Sequence, residues 1–219
     1  MSESVKPSRA AAYPRRHLRA QATRARILES ARVLFIERGY VATTMEAIAS
    51  DADVAPETIY AVFGTKRAVL AGVVDIAISG DVEAAPVMAQ AWVQALRDEP
   101  DAHRRVRILA RNGRTILERR HAIDEVVRSA SASDPGIAAL YEIGKTQRYA
   151  GQRELLRIVV GEARLRPGVD LETAADALYA LGSPETFRSL VVDRGWDGDR
   201  FEQWYGEALD RLLFEDRPG

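Results

Sequence analysis

Lys66 and Tyr60 carry the clearest chemical signal in the sequence. Residues 54–66 read VAPETIYAVFGTK, and they place a lysine where a helix is predicted to begin. A cation at that end of a helix opposes the macrodipole, but an ammonium and helix N–H groups that converge on one phosphate form a good anion site. Tyr60 lies one helical turn earlier and can present its hydroxyl to the same phosphate backbone. The spacing therefore predicts phosphate binding, although each residue taken alone also fits a solvated or half-buried side chain.

Residue types that support catalysis or metal binding are scarce. The chain has no cysteine, which excludes disulfides and thiolate metal sites. His103 and His121 are too far apart to form a metal-spaced pair, and no glycine-rich phosphate loop, nucleophile elbow or H-E-x-x-H motif is present. Carboxylates are abundant, but a charge-rich helical protein always offers random pairs of them. We therefore expect no enzyme activity, no metal and no cofactor.

Charge is distributed unevenly along the 219 residues, although the net charge is only −1. Residues 1–26 contain seven basic side chains and one acidic side chain, whereas residues 81–219 contain 20 basic and 24 acidic side chains. A basic N-terminal part and an acidic C-terminal part suggest two functions. Residues 1–21 are predicted to form a flexible basic arm. This arm is either a solvated tail or a segment that orders along phosphates or in a minor groove.

The composition favours a globular protein with a substantial core. Hydrophobic residues make up 47% of the chain, which is enough for one large domain or two modest domains. The basic N-terminus lacks the apolar segment of a signal peptide, and no run of about 18 apolar residues could span a membrane. We expect a cytoplasmic protein with no membrane segment.

The spacing of apolar residues predicts an all-α fold with no sheet. Gly39 and Gly64 stand where helices should end, Thr43 and Glu46 have capping-box spacing, and Thr65 can cap a fourth helix. Two short helices joined by a tight turn and packed on a longer helix form a helix-turn-helix. The helices of this first part are predicted over residues 22–38, 44–51, 56–62 and 66–79.

One stretch of the sequence resembles a known family. Residues 35–49 fit the pattern F.ERGY..TT...IA, and Val54, Thr58, Tyr60, Phe63, Lys66 and Leu70 follow at characteristic spacing. Residues 23–70, about a quarter of the chain, resemble the DNA-binding domain of the TetR family of bacterial transcriptional regulators. The resemblance implies that double-stranded DNA is a partner. It also implies phosphate contacts by Thr44 and Lys66, backbone contacts by Thr58 and Tyr60, and base-edge positions for Glu46, Pro56 and Glu57.

The sequence departs from the family pattern at two places, and base readout raises a separate question. Asp53 stands where glycine is frequent in the turn, but aspartate tolerates the left-handed conformation better than most residues. Ala55 stands where serine or threonine often caps the third helix, which weakens that cap. The outer face of this helix has no Arg, Lys, Asn or Gln for a bidentate base contact. Glu57 could accept a hydrogen bond from a cytosine amino group, could repel phosphate, or could simply complement the helix dipole.

Residues 81–219 are predicted to form a second helical domain, after a DNA-binding domain over residues 22–80 that includes the connecting fourth helix. Asp134-Pro135 and Ser183-Pro184 each have the pattern of an N-cap followed by a first-turn proline. Helices are predicted over residues 86–97, 101–118, 120–131, 135–160, 171–181, 184–193 and 198–214.

Two roles are expected for this second domain. The family resemblance implies a small-molecule effector in a mostly apolar cavity; the candidate residues, each of which could equally be core, are Met88, Trp92, Leu96, Leu109, His121, Tyr141 and Tyr149. The resemblance also favours a homodimer built on the last two helices, whose broad apolar face could otherwise be covered by the chain itself. The interface candidates are Phe187, Leu190, Val191, Phe201, Trp204, Tyr205, Leu209 and Leu212.

The leading hypothesis for function is a ligand-responsive transcriptional regulator, usually a repressor in this family, that binds a near-palindromic operator as a dimer. One alternative is a helix-turn-helix protein that organises or activates DNA without an effector. Another is a helical enzyme or a protein-interaction module. The effector, the operator sequence and the sign of regulation are not encoded in any pattern of this sequence.

Overall fold

The computed structural model describes residues 9–81 and 84–215. Across these two ranges the chain forms ten α-helices and no β-strand, which confirms the predicted all-α fold. The chain divides into two compact units, one up to Val73 and one from Val74 onwards. The boundary falls inside a helix and not at the predicted position near residue 80.

Four helices begin in the N-terminal unit: α1 (Arg9–Ala42), α2 (Met45–Asp51), α3 (Pro56–Phe63) and α4 (Lys66–Ser79). The last three match the predicted ranges closely. α1 begins at Arg9, inside the predicted arm over residues 1–21, whose flexibility stays a prediction; residues 1–8 lie outside the described part. Alanine, arginine, leucine and glutamine, which have high helix propensity, predominate in this segment, although Pro14 removes one backbone donor.

Gly39 interrupts α1 near its end. Its φ of 78° and ψ of 164° are not helical, and the chain turns there before the helix resumes up to Ala42. A positive φ favours glycine over residues with a Cβ atom, so the predicted helix-ending role of Gly39 is confirmed as a sharp kink.

The core of the N-terminal unit comes from all four helices. Apolar side chains at helical spacing on α1 meet those of the two short helices and of the first turns of α4. Burial of each aliphatic or aromatic side chain contributes about 1.5–3 kcal/mol. The completely buried members are Ile27, Ala31, Phe35, Ile48, Ala49, Ile59, Val69 and Leu70.

Gly72 allows α4 to lie very close to α1. A Cβ atom placed on Gly72 would be 2.9 Å from Cδ2 of Leu28, a distance shorter than any normal carbon–carbon contact. Val69 and Val73 on the same helix are buried as well. The first two turns of α4 are therefore packed as part of the N-terminal unit.

The C-terminal unit contains six further helices: α5 (Ala91–Asp98), α6 (Ala102–Ser131), α7 (Pro135–Val160), α8 (Leu171–Leu181), α9 (Pro184–Phe187) and α10 (Gly198–Leu213). A short 3₁₀ turn, Val87–Ala89, precedes α5, and a π-helical segment, Arg188–Val192, follows α9. The predicted helix over 86–97 is split at Gln90. The two helices predicted over 101–118 and 120–131 form one continuous helix, since no glycine or proline separates them.

Side-chain caps define where these helices begin. The Asp134 carboxylate accepts hydrogen bonds from the backbone N–H groups of Gly136 and Ile137 at 2.8 and 3.2 Å. The Ser183 hydroxyl accepts from the N–H of Thr186 at 3.0 Å. Each cap precedes a proline in the first turn, so both predicted N-cap and proline pairs are confirmed.

The last helix faces the chain's own core. α10 packs against α6 and α8, and the Phe201 ring lies 4.9 Å from the Phe187 ring, centroid to centroid. The prediction of a subunit interface is therefore wrong for four residues, whose side chains are almost completely buried within the chain: Phe187, Phe201, Tyr205 and Leu209. The other four candidates are only half-buried and lie at the edge of this core: Leu190, Val191, Trp204 and Leu212.

Candidate nucleic-acid interface

The turn between α2 and α3 is a Schellman motif. The N–H of Val54 donates to the carbonyl of Ala49 at 3.0 Å, and the N–H of Asp53 donates to the carbonyl of Ser50 at 3.3 Å. Asp53 has a φ of 52°, which is the left-handed conformation that this motif requires. The expectation that aspartate replaces glycine in a left-handed turn residue is confirmed, and the turn fixes how α3 follows α2.

Replacing Asp53 with glycine is expected to raise the free energy of unfolding of the N-terminal unit by about 1 kcal/mol, because a left-handed backbone costs about 1–2 kcal/mol for a residue with a Cβ atom. Asp53→Val should lower it, since a β-branched side chain tolerates this conformation worst. Thermal and urea unfolding would measure both variants. Equal stability of the glycine, aspartate and valine proteins would contradict the expectation.

α3 begins without a side-chain cap. Ala55 occupies the N-cap position with extended dihedral angles and makes no side-chain hydrogen bond to the helix, and Pro56 follows in the first turn. The weak cap predicted at Ala55 is therefore present in the structure. Pro56 lacks an N–H group, so it leaves one fewer unsatisfied donor at this end.

One face of α3 lies open on the surface of the N-terminal unit. Pro56, Glu57 and Ala61 are exposed, and Thr58 is half-buried. Tyr60 is 46% exposed and Val62 41%, whereas Ile59 points into the core. The residues expected to face DNA from α3 are thus brought together on one side of one helix.

Glu46 joins this surface from α2. The Tyr60 hydroxyl donates a hydrogen bond of 3.0 Å to Oε1 of Glu46, and both side chains are exposed. The backbone N–H of Glu46 itself and the Tyr60 hydroxyl hold the pKa of this carboxyl below its ordinary value. The same bond raises the pKa of the Tyr60 hydroxyl. The Glu46 carboxylate is therefore ionised at neutral pH and is held at the surface of α3.

Thr44, not Thr43, caps α2. The Thr44 hydroxyl accepts from the N–H of Ala47 at 3.1 Å, and the helix begins at Met45. The predicted capping box of Thr43 and Glu46 is wrong by one residue. Thr44 is exposed, so its hydroxyl group lies at the surface at the start of α2.

Thr43 has a structural role that the sequence did not reveal. It is completely buried, and its hydroxyl lies 3.1 Å from the carbonyl oxygen of Leu34 and 2.9 Å from that of Gly39. These carbonyls belong to the kinked end of α1. The sequence signal for this contact is a threonine four residues after a helix-ending glycine, and it is a weak one.

Lys66 reaches back from α4 to the end of α1. Its ammonium donates to the carbonyl oxygens of Tyr40 and Thr43, both at 2.7 Å, and lies 3.4 Å from that of Val41. It also lies 4.4 Å from the centre of the Tyr40 ring. These contacts explain why a lysine is favourable at the start of α4: it satisfies carbonyls that the kink of α1 leaves without helical partners. Phosphate binding by Lys66 stays a prediction, since the ammonium already donates to three backbone carbonyl oxygens.

The helix-turn-helix itself carries no positive charge. Residues 45–63 contain four carboxylates and no Lys, Arg or His. Positive charge on this unit comes from flanking positions, among which Arg38 and Arg67 are exposed. Attraction for phosphates must therefore come from the neighbouring segments, and not from α2 and α3.

Most of the predicted effector residues are core residues of the C-terminal unit. Leu96 and Leu109 are almost fully buried, while three others are half-buried against the same core: Met88, Trp92 and Tyr149. The Trp92 indole N–H donates to Oε1 of Gln90 at 2.9 Å. The Tyr149 ring makes an edge contact with the Tyr179 ring, 5.6 Å between centroids.

The remaining two effector candidates lie beside α9. The His121 ring is 5.4 Å from the Phe187 ring, and its Nδ1 lies 3.0 Å from the carbonyl oxygen of Glu118. The Tyr141 hydroxyl lies 3.4 Å from Oε1 of Glu185. The seven candidates are therefore distributed over the core and the α9 region, so the sequence-based list defines no single polar centre.

Neither a metal centre nor a membrane span is found in the described part of the chain. Over residues 9–81 and 84–215 the structure has no group of three or more His, Cys, Asp or Glu side chains arranged to hold a metal ion. None of the helices in these ranges is both long and apolar enough to cross a membrane.

The N-terminal unit has the architecture of a DNA-binding helix-turn-helix: two short helices joined by a fixed turn, packed on a longer helix, with one face of the second short helix exposed. Residues 27–73 match the family model of bacterial regulatory proteins of the tetR family. The match covers most of the N-terminal unit, which is therefore a DNA-binding domain of the tetR type. No curated protein sequence gives a significant match.

Solved structures with the same fold cover nearly the whole chain. A putative TetR-family regulator from Mesorhizobium loti is 19% identical, with a TM-score of 0.67 over 89% of this chain and 96% of its own. NalD from Pseudomonas aeruginosa, the secondary repressor of the MexAB-OprM multidrug efflux pump, is 22% identical, with a TM-score of 0.65 over 89% and 97%. FadR from Bacillus subtilis in complex with stearoyl-CoA is 17% identical, with a TM-score of 0.66 over 86% and 98%. At these identities the similarity concerns the fold.

Proposed function

We propose that this protein is a ligand-responsive repressor that binds a near-palindromic operator as a homodimer. The observation that carries this proposal is the exposed face of α3, held by the Asp53 turn in a tetR-family DNA-binding unit and linked through α4 to a second, separate helical unit. It acts by binding and not by catalysis, in the cytoplasm where bacterial DNA lies.

The DNA contacts divide into two groups in this proposal. Thr44 and Thr58 supply hydroxyl groups to the phosphate backbone, and Lys66 contacts a phosphate near the start of α4. The Tyr60 ring lies against the backbone while its hydroxyl donates to Glu46. Glu46, Pro56 and Glu57 face base edges, because the N-terminal residues of the second helix of a helix-turn-helix enter the major groove. The burial of these side chains supports this division: Thr44, Glu46, Pro56, Glu57 and Tyr60 are exposed, and Thr58 and Lys66 are half-buried.

The C-terminal unit is proposed to bind a small, largely apolar effector. Its core is built almost entirely from aliphatic and aromatic side chains, and apolar pockets with a few polar groups are typical small-molecule sites. FadR, which shares the fold, was solved with stearoyl-CoA. The half-buried residues Met88, Trp92 and Tyr149 are the positions at which an effector could replace solvent.

The dimer interface is proposed at the edge of the α10 core. Leu190, Val191, Trp204 and Leu212 are half-buried, and Val192 is 54% exposed in the single chain. A two-fold dimer through this edge would present two copies of α3 to successive major grooves about 34–36 Å apart. Operator binding would then need both subunits.

Effector and DNA are proposed to compete through α4. This helix starts at Lys66 beside the DNA-binding face and ends at Ser79 in the C-terminal unit. An effector that favours a subunit arrangement with mismatched α3 spacing needs only about 1–3 kcal/mol of coupling to change DNA affinity by about 5–150-fold. By linkage, operator DNA must weaken effector binding by the same factor.

Selection of bound duplexes from random DNA tests the proposal directly. The expected result is a near-palindromic site, followed by an effector screen in which a true effector releases this site and binds the DNA-free dimer more tightly. Unchanged operator affinity across the screen would instead support an effector-independent DNA-binding protein. Failure of a folded dimer to retard any duplex at low salt would contradict the proposed function.

Replacing Leu212 with glutamate is expected to separate the dimer and to weaken operator binding by about 10²–10⁴-fold. A monomer binds one half-site only, and it loses the increase in affinity that comes from linking two DNA-binding units in one dimer. Light scattering would report the oligomeric state, and gel retardation at fixed salt the affinity. Arg211→Glu adds the same side chain one residue earlier, at an exposed position, and should leave both unchanged. A monomeric Leu212→Glu protein with full operator affinity would contradict the dimer mechanism.

A further inference from the structure

Base recognition by this helix-turn-helix must use an unusual set of side chains. Residues 45–63 contain no Arg, Lys, His, Asn or Gln. The common bidentate contacts, from arginine or lysine to guanine and from asparagine or glutamine to adenine, are therefore impossible from α2 and α3. The hydrogen-bonding groups that remain on the exposed surface are hydroxyls and carboxylates.

Glu57 occupies the position from which a base edge is read. It is the second residue of α3 and is exposed, and the N-terminal residues of this helix contact bases when a helix-turn-helix enters the major groove. Within residues 9–81 and 84–215, its side chain makes no hydrogen bond or ion pair. Its carboxylate is therefore available to a partner outside the chain.

Glu46 presents a second carboxylate to the same face. The Tyr60 hydroxyl donates to its Oε1 at 3.0 Å, and Tyr60 lies three residues after Glu57 on α3. The Glu46 backbone N–H and the Thr44 hydroxyl also stabilise this carboxylate, and because each carboxylate oxygen can accept two hydrogen bonds, it can still accept from a base. The Tyr60 bond also limits the directions in which this carboxylate can point.

An ionised carboxylate can only accept hydrogen bonds, and this restricts the bases that it can face. In the major groove guanine presents two acceptors, and thymine presents an acceptor and a methyl group. Adenine presents a donor beside an acceptor, whereas cytosine presents only its N4 amino donor. A carboxylate that faces an acceptor on a base loses its water without gaining a hydrogen bond, and this costs binding free energy. Cytosine is therefore the base that donates a hydrogen bond to the carboxylate and presents no acceptor beside it.

We propose that Glu57, with Glu46 held by Tyr60, determines operator specificity by accepting hydrogen bonds from cytosine amino groups in each half-site. This inference rests on the proposed operator-binding function and names the bases that the operator must contain. Cations outside residues 45–63 attract the phosphates, so they determine the affinity for DNA. The carboxylates of α2 and α3 determine which bases are preferred.

Base selection with the full-length protein tests this inference. Wild-type protein, Glu57→Gln and Asp51→Asn are each used to select duplexes from a random pool. Asp51 is the last residue of α2 and is exposed, so Asp51→Asn makes the same change in charge away from the start of α3. The wild type should select cytosine at the positions that face Glu57 and Glu46 in each half-site. Glu57→Gln should change only the position that faces residue 57, to adenine, and Asp51→Asn should keep the wild-type site.

Affinity measurements at one salt concentration complete the test. The wild type should prefer C·G to other pairs at the Glu57 position by about 5–150-fold, and Glu57→Gln should lose this preference. Among the base preferences, Tyr60→Phe should reduce the one assigned to Glu46 and leave the one assigned to Glu57 unchanged, whatever its effect on overall affinity. Selected sites without a cytosine that responds to Glu57, or unchanged base preferences in Glu57→Gln, would overturn the inference while DNA binding persists. If no duplex is selected at all, the proposed function fails as well.

Discussion

Replacing Leu209 with glutamate is expected to unfold the C-terminal unit, and not merely to separate two subunits. Leu209 is 0% exposed in the single chain, on the side of α10 that packs against α6 and α8. Loss of a buried leucine side chain alone costs about 2–5 kcal/mol, and a buried, unpaired carboxylate adds to this cost. The sum is comparable to the whole stability of a domain, about 5–15 kcal/mol.

Far-ultraviolet circular dichroism and thermal unfolding would measure this effect. The matched variant is Leu212→Glu, which adds the same group three residues later at a half-buried position and should keep most of its helical signal. A Leu209→Glu protein that is monomeric and melts at the wild-type temperature would show that Leu209 faces a partner subunit, in contradiction to its burial within one chain.

Replacing Lys66 with alanine is expected to destabilise the N-terminal unit and to weaken binding to every DNA sequence. The substitution removes two short charged hydrogen bonds to the carbonyls of Tyr40 and Thr43. Hydrogen bonds to charged groups contribute about 1.5–3 kcal/mol each; because the two bonds share one ammonium, we expect a total loss of about 2–3 kcal/mol. The kinked end of α1 and the start of α2 should lose order first.

Hydrogen exchange over residues 40–47 would detect this loss locally, and the salt dependence of DNA binding would separate the two roles of Lys66. A direct phosphate contact flattens the slope of log K against log salt by about 0.9, whereas a purely structural role lowers affinity without changing the slope. Arg38→Ala removes an exposed cation from the same unit and should leave exchange unchanged. Wild-type exchange in Lys66→Ala would show that the carbonyl contacts are dispensable.

Local signals in the sequence were sufficient to predict most helix boundaries. Asp134 and Ser183 precede prolines, and a capping side chain followed by a first-turn proline satisfies the start of a helix by itself. Gly64 ends α3 with a φ of 72°, and the Thr65 hydroxyl accepts from the N–H of Ala68 at 3.1 Å. These features depend on neighbours within a few residues, so periodicity and residue type determine them.

Contacts between distant parts of the chain could not be predicted in the same way. The apolar stripe of α10 is visible in the sequence, but a stripe does not say whether the chain's own α6 or a partner covers it; Leu209 was therefore misassigned. Lys66 and Tyr40 are 26 residues apart, and only the folded unit shows that the lysine side chain spans from α4 to the end of α1. The exposed face of α3 was predicted correctly because it depends on helical period alone.

The close contact between Gly72 and α1 fixes how α4 is rotated about its own axis within the N-terminal unit. The helix continues six residues past Val73, the last residue of the N-terminal unit, and ends at Ser79. Each residue of an α-helix advances the chain by about 100° around the axis. One residue inserted after Val73 would thus turn the remaining residues of α4 by about 100° about the helix axis, whereas seven residues would turn them by only about 20°. The directions of the last side chains of α4 should therefore depend on the helical period of an insertion, and not on its size.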